Sequence, residues 1–461
     1  MKKICLFIIL IINFLTIEKL SSQNVVINGK VNEPNALIRL FSYNDMLSCE
    51  VTKIAETKSD HEGVFKLEAT INEIGIAQIA VNLERVDFLL KPNATYDLEI
   101  LIPEQEIESS YFERQNPTLK MNNADDQGLY YQYYASETII NDFILEHFNQ
   151  IYRGRQLSLL DTLDVRIEKE VGDIKSDFVR DYVRYRKASI QMAVNNDNAK
   201  KVVNQYYDKN EILYSQPAYM ELFREIFTDY LLSRQFEPSE FMQMYYSGYD
   251  AFLSYLKNKD AFLAENQELT ELILSWNLKR MYYEYPDERK ITLNYFDVLK
   301  ERSDNQKNKK IIDDILKQIH RLSFDSEAPD FSLRDRNGNV IKLSDYQDDM
   351  LILQFVNHTS HMIDYHFDRL NELSYQWQDS VRIITIATKD SFEDFKQMFD
   401  NKSITWSLLD LDDDILLLEE YQIRTFPDYI ILRKGGKIGM APAPAPDQYL
   451  DYHVRRIYKY L

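Results

Sequence analysis

The sequence predicts a multidomain α+β protein. It has a small N-terminal β-sandwich, an all-helical middle and a C-terminal α/β domain. Three observations predict this. Apolar residues recur with period two or in short runs as far as about Pro103, at helical spacing from about Asn122 to Ser323, and as alternating strand and helix patterns from Glu327 to Leu461. The length of 461 residues suits about three domains. A hydrophobic content of 45% beside 28% charged residues supplies enough apolar material for real cores.

The first region, residues 23–105, reads as seven strands: Val25 to Ile27, Leu37 to Phe41, Val51 to Ile54, Val64 to Leu67, Ile76 to Val81, Val86 to Leu90 and Tyr96 to Ile102. Asn28-Gly29, Asp60-His61-Glu62-Gly63 and Lys91-Pro92-Asn93 supply turns between them. Strands this short and closely spaced predict a small antiparallel sandwich.

Residues 120–323 carry few glycines and prolines, and the spacing of apolar residues predicts seven or eight helices. Phe178, Tyr182 and Tyr185 form one apolar set; Leu222, Ile226 and Tyr230 a second; Phe241, Tyr245, Phe252 and Leu256 a third. Pro238 with Ser239-Glu240 marks a helix start, because proline suits the first turn. The pairs Tyr206-Tyr207, Tyr245-Tyr246 and Tyr282-Tyr283 invite a glycan- or peptide-binding reading, but helix packing with phenols at the wet edge is the simpler account.

In residues 327–461, strands are expected at Leu351 to Phe355, Val381 to Ala387 and Ile404 to Leu408, with a hairpin of Tyr429 to Leu432 and Lys437 to Gly439. Helices are expected at Ser360 to Gln378, Ser391 to Phe399, Ile415 to Tyr421 and Tyr449 to Tyr460. Ser391 and Asp394 have capping-box spacing. The Ala441–Pro446 alternation of alanine and proline reads as a stiff connector. Such alternation gives a mixed sheet with helices on both faces.

This C-terminal segment resembles the thioredoxin-like superfamily, in particular the TlpA-type and peroxiredoxin-related branch of exported bacterial proteins. The resemblance rests on Ala328-Pro329-Asp330-Phe331-Ser332-Leu333, on the hairpin from Arg336 to Asp345, on Leu351-Ile352-Leu353-Gln354-Phe355, and on Thr425-Phe426-Pro427-Asp428-Tyr429 running on to Gly435-Gly436-Lys437-Ile438. The strand region ahead of the helices resembles the β-domain fused to such domains in Bacteroidetes-type proteins. The resemblance implies an active loop at Val356-Asn357-His358-Thr359-Ser360-His361-Met362-Ile363, with two cysteines at the places that hold Ser360 and Ile363. A serine hydroxyl and an isoleucine perform no dithiol chemistry. Gln354 stands where the family has a buried carboxylate, and an amide does not titrate. Pro427 falls where the family has a cis-proline facing the loop. Either Pro427 simply completes its turn, or, as the resemblance implies, a peptide-binding groove is formed by Phe426, Pro427, Ser360, His361, Met362 and Ile363, with no catalytic residue, metal or cofactor.

Charge and cysteine usage bound the rest. The formal net charge of -20 argues against a nucleic-acid binder and against adhesion to anionic lipid. Lys2 and Lys3, the apolar stretch from Ile4 to Leu15 and the Ser21-Ser22 site read as a secretory signal peptide over residues 1–22, too short for a membrane span. Cys5 comes too early to be a lipoprotein cysteine. Cleavage would leave Cys49 as the one thiol of an exported, periplasmic protein, so neither an internal disulfide nor a dithiol cycle is available. The expected function is that of a non-catalytic binding or scaffold module whose partner is an envelope protein or peptide. One alternative is a thiol-disulfide pathway protein working through Cys49 or a partner's thiol. A second is metal binding by His358, His361 and His366, although the last two are five residues apart and share no helical face. The run Asp410, Asp412, Asp413, Asp414 lacks the glycine and distant glutamate of a calcium loop and reads as a helix start.

Overall fold

The computed structural model describes residues 23–103, 116–123, 128–194, 199–233, 235–377 and 380–459. The expected signal peptide, with Cys5, lies outside them, as do Gln378 and Tyr460. Among the described residues no helix is long and apolar enough to cross a membrane.

The N-terminal unit contains β1 (Gln23–Val31), β2 (Leu37–Tyr43), β3 (Val51–Lys58), β4 (Val64–Ile71), β5 (Gly75–Val81), β6 (Glu84–Leu90), β7 (Thr95–Leu101) and β8 (Thr118–Met121). They form two four-stranded sheets, β4-β1-β7-β8 and β3-β2-β5-β6. Alternate residues, among them Val25, Ile27, Ile38, Leu40, Ile79, Phe88, Leu98 and Ile100, fill the space between the sheets. All seven expected strands are present. Two features differ from expectation. The sandwich is not wholly antiparallel, because β1 and β7 run parallel from Val26 opposite Thr95 to Val31 opposite Ile100. The sheet also gains β8, whose four residues are too few for periodicity to single out.

The turn before β4 shows how local chemistry fixes a strand entry. The Asp60 carboxylate accepts from the Glu62 and Val64 amides at 2.8 and 2.9 Å. Gly63 has φ +80°, and a Cβ there would lie 2.0 Å from the Val31 carbonyl. Only glycine fits both constraints.

The middle region holds twelve helices among the described residues: α1 (Leu129–Glu146), α2 (Phe148–Tyr152), α3 (Leu159–Val171), α4 (Asp177–Val194), α5 (Ala199–Tyr206), α6 (Pro217–Phe227), α7 (Pro238–Tyr246), α8 (Tyr249–Lys259), α9 (Ala261–Glu265), α10 (Gln267–Glu284), α11 (Arg289–Arg302) and α12 (Gln306–His320). This exceeds the seven or eight expected, in part because α2 and α9 have only five residues each and complete little more than one turn. Pro238 does open α7, with the Glu237 carboxylate accepting from the Glu240 amide at 2.9 Å.

Helix packing accounts for most of the tyrosines, and their phenols divide between the core and the wet edge. Tyr185, Tyr207, Tyr219, Phe223 and Phe227 form one ring cluster with centroids 4.8 to 6.4 Å apart. Inside it Tyr185 donates to the Tyr206 carbonyl at 3.0 Å and Tyr207 to the Tyr219 carbonyl at 2.9 Å. The hydroxyls are therefore satisfied within the core. Tyr246 and Tyr283 are the exposed members of their pairs.

The C-terminal unit comprises β9 (Ser332–Asp335), β10 (Val340–Lys342), β11 (Met350–Val356), α13 (His361–Trp377), β12 (Val381–Ala387), α14 (Phe392–Asn401), β13 (Ser407–Asp410), α15 (Ile415–Glu420), β14 (Asp428–Arg433), β15 (Lys437–Met440) and α16 (Leu450–Lys459). The strands form one sheet in the order β10-β9-β13-β12-β11-β14-β15, with β11, β12 and β13 parallel and β14 antiparallel to β11. Leu370, Leu373, Leu450 and Val454 of α13 and α16 cover one face, joined by Phe395 and Phe399 of α14. Leu417 and Leu418 of α15 pack on the other.

Two expectations in this unit are corrected. The Ser391 side chain makes no cap; its hydroxyl donates instead to the Thr388 carbonyl at 3.1 Å, and residues 389–391 form a 3₁₀ turn. Ile404 is not in a strand. It closes α14: its amide donates to the Phe399 carbonyl at 2.9 Å, the Ser403 amide donates to the Asp400 carbonyl, and Ser403 has φ 53°. This is a Schellman C-cap, and its hydrophobic contact explains the apolar residue.

The three units are bolted together by buried charge. Glu50, at the end of the β2–β3 loop, accepts two bonds from Arg321 at 2.9 Å and one from Gln318 at 3.0 Å, with Lys317 at 3.3 Å. Arg224 donates to the Met46 carbonyl in the same loop at 2.6 Å. Between the sandwich and the C-terminal unit, Arg39 donates to the Asp413 carbonyl and Arg85 pairs with Glu419. Phe41 and Ala80, on the outer face of the second sheet, are buried against Ile415.

Candidate functional site

The candidate groove lies where β11 ends and β14 begins. Phe355 pairs with Asp428, so the loop after Val356 and the turn before Asp428 leave the sheet at the same end. The Phe426–Pro427 peptide bond is cis. Ser360 caps α13: its hydroxyl accepts from the Ile363 amide at 3.2 Å, and the Asp364 amide donates to its carbonyl at 2.8 Å. Its chemistry is thus engaged in starting the helix. Lys402 holds Asp364 at 2.9 Å and Asp368 at 2.6 Å on the outer side of the same helix.

The expected groove residues divide into two groups. His361 and Met362 are exposed at the first turn, and Ser360, Phe426 and Pro427 are half-buried. Ile363 is 1% exposed and packs with Val356, Phe367, Phe395 and Phe399, so it supports the loop from beneath. No cysteine stands anywhere from Glu327 to Leu461.

The histidines do not converge. His358 is exposed with Nδ1 at 2.6 Å from Asn357 Oδ1. His366 is buried within a chain of side chains that crosses the sheet. Trp406 Nε1 donates to Thr385 Oγ1 at 3.0 Å, the Thr385 hydroxyl to Gln354 Oε1 at 3.0 Å, and Gln354 Nε2 to the Tyr429 oxygen at 3.3 Å. Tyr429 lies 2.9 Å from His366 Nδ1, and His366 Nε2 lies 3.4 Å from Asp447. Among the described residues no three His, Cys, Asp or Glu side chains come together to hold a metal ion. Nothing along the sequence links Thr385, Trp406, Tyr429 and Asp447, because they come from β12, the loop before β13, β14 and the connector before α16.

Burial favours the neutral form of two side chains near the candidate groove. Burial holds His366 below its ordinary pKa, with Asp447 working against that effect. Burial also raises the Asp428 carboxyl, although the Tyr429 amide donates to it at 2.8 Å.

A family model described as "AhpC/TSA family" matches residues 324–441. The C-terminal domain is thioredoxin-like. The match covers that domain and none of the sandwich or helical region. Among solved structures, the chain is similar to a putative thiol-disulfide oxidoreductase from Bacteroides vulgatus, with 18% identity over 30% of this chain and 98% of that one, at a TM-score of 0.28. It is also similar to a putative thiol:disulfide interchange protein DsbE from Chlorobium tepidum, with 16% identity over 30% of this chain and 98% of that one, at 0.27. A third is a thiol:disulfide interchange protein from Bacteroides sp., with 24% identity over 30% of this chain and 91% of that one, at 0.27. No curated protein matches the chain.

The acidic run of the thioredoxin-like domain is structural. Asp414 caps α15 by accepting from the Leu417 amide at 3.3 Å, and Asp413 is buried against Lys389 at 3.0 Å. Cys49 lies in the β2–β3 loop, outside the domain, with its sulfur 3.9 Å from Arg224 Nη1. Burial raises its thiol pKa, against the pull of Arg224, and so works against thiolate formation.

Proposed function

We propose that this is an exported binding module whose thioredoxin-like domain has exchanged dithiol chemistry for recognition of an extended peptide. One observation carries the reading: the two positions that would bear thiols hold Ser360, which caps α13, and Ile363, which is packed into the core. Neither accepts or donates electrons. Around them the cis Phe426–Pro427 turn and the exposed His361 and Met362 offer backbone and side chains for an extended segment to pair against. The export reading rests on the basic and apolar residues 2–15 and the Ser21-Ser22 site.

Insulin reduction by the purified full chain tests the redox half. Turnover at background is expected, and measurable turnover overturns the proposal. Retention of the chain on an immobilised library of extended peptides tests the binding half. Met362→Asp or Phe426→Asp is expected to lower retention about tenfold, as loss of an anchor side chain does. Unchanged retention in both variants would place binding elsewhere.

A further inference from the structure

The buried chain from Trp406 to Asp447 has a direction. An indole N–H only donates, so Thr385 must accept from Trp406 and pass its own proton to Gln354 Oε1. That leaves Gln354 Nε2–H facing the Tyr429 oxygen, and the Tyr429 proton free for His366 Nδ1. The order is complete with His366 neutral and its one proton on Nε2 facing Asp447. Each link of the chain then has one donor and one acceptor, and Thr385, Gln354, His366 and Tyr429 are all buried.

A second proton on His366 breaks this order. Nδ1–H would meet the Tyr429 O–H head to head. A hydroxyl turned toward Gln354 would meet the Nε2–H that already points at the same oxygen. A buried O–H would lose its acceptor, which is costly in a low-dielectric interior.

The parts joined by this chain are those that frame the groove. Tyr429 follows Pro427 and Asp428 directly, and His366 sits in the helix that Ser360 begins. The connector is tied to the same strand, because the Ala443 amide donates to the Tyr429 carbonyl at 2.7 Å before Asp447 reaches His366. We infer that His366, Tyr429 and Asp447 form a pH-sensitive clasp that holds the Phe426–Asp428 turn, the start of α13 and the connector in one arrangement while His366 is neutral, and loosens the turn when His366 takes up a proton. This inference concerns regulation of the groove and rests on the binding reading above.

The groups facing His366 are few. Asp447 on the connector is the charge that acts on it, and it favours the protonated form. Tyr429 faces it from β14 and is itself near Asp428 and Asp447. Gln354 of β11 is uncharged. Asp451, the first charged residue of α16, is engaged by Trp377 at 2.7 Å and by Arg455 at 2.8 Å. Burial opposes Asp447 and prevails, so the neutral form dominates near neutrality and the clasp responds on the acid side.

The experiment uses the full chain without ligand, so it is independent of what the groove binds. Nitrogen-15 histidine spectra should show His366 with its proton on Nε2 at neutral pH. Amide hydrogen exchange at Thr425, Phe426, Asp428 and residues 361–364, corrected for intrinsic rates, should rise about tenfold between roughly pH 7 and pH 5, the range over which histidine changes charge. The rise should vanish in His366→Gln. Tyr429→Phe removes the competing hydroxyl, so His366 should titrate at higher pH in that variant. A His366 proton on Nδ1 would overturn the clasp. So would exchange at Thr425, Phe426 and Asp428 that stays flat while His366 titrates, or a pH response that survives in His366→Gln. Insulin turnover or failed peptide retention would overturn the binding reading and leave these spectra unaffected.

Discussion

Single residues here do work that their type alone does not announce. Glu50 is the clearest case. It is buried, yet burial, which would raise its carboxyl pKa, is outweighed by Gln318, Arg321 and Lys317, and the net shift is downward. Its ionised form is therefore favoured by folding, and that stability is present above the carboxyl's unfolded pKa of about 4.3 and fades as pH falls through the lower folded value. Glu50→Gln should cost about 3 kcal/mol at neutral pH, since it strands the Arg321 charge in a half-buried site. Urea melts at pH 7 and pH 3.5 check this: the gap between wild type and variant should narrow at the lower pH. Ser360 is a smaller case. Its hydroxyl caps α13, so Ser360→Ala should lower stability by about 1 kcal/mol in the same assay. An unchanged midpoint would mean the hydroxyl is free for another role.

At the scale of elements, the lesson lies in residues whose pattern fits two structures. Ile404 fits a strand by its apolar neighbours, yet it closes α14 through a Schellman cap and is 2% exposed. Ile404→Ala should therefore behave as a core truncation, costing about 2–4 kcal/mol in urea unfolding with an unchanged slope. A loss below about 0.5 kcal/mol would fit a surface position instead. The ring cluster of α4, α6 and the Tyr206-Tyr207 corner shows the same ambiguity for function. Tyrosine runs invite a binding-surface reading beside the simpler one of helix packing, and Tyr185, Tyr207, Tyr245 and Tyr295 do donate to carbonyls or a side chain within the helical core. Strand and helix positions were otherwise largely legible, because period two and period 3.6 reflect which side chains face a core. Short elements such as α2, α9 and β8 were not, because four or five residues complete too little of any period.

Across the whole molecule, the second sheet of the sandwich is covered on both faces. Its inner residues meet the other sheet, while Phe41 and Ala80 meet Ile415 and Leu89 joins the helical core. The thioredoxin-like domain is thus docked, with Arg39 on the Asp413 carbonyl and Arg85 on Glu419 framing the apolar contact. The intact chain should unfold in a calorimeter with the sandwich and the thioredoxin-like domain in one transition. The pair Arg39→Ala and Ile415→Ser should separate a transition for the C-terminal domain. Two transitions in the wild type would show that the contacts couple the domains too weakly to matter.

The sequence by itself determined the order of the three units, the strands of the sandwich, the thioredoxin-like pattern and the absence of cysteine from residues 327–461. These are properties of local periodicity, turn chemistry and residue identity, all of which are written along the chain. Tertiary structure alone decided how the units meet and what His366 does. Gln354 and His366 stood out in the sequence for separate reasons, one as a lost carboxylate and the other as a metal candidate. Only the packing of β11, β14, α13 and the connector placed Tyr429 between them and Asp447 beyond. A buried polar group takes its role from the partner it is given, and partners tens of residues away in sequence leave no mark on one another's local pattern.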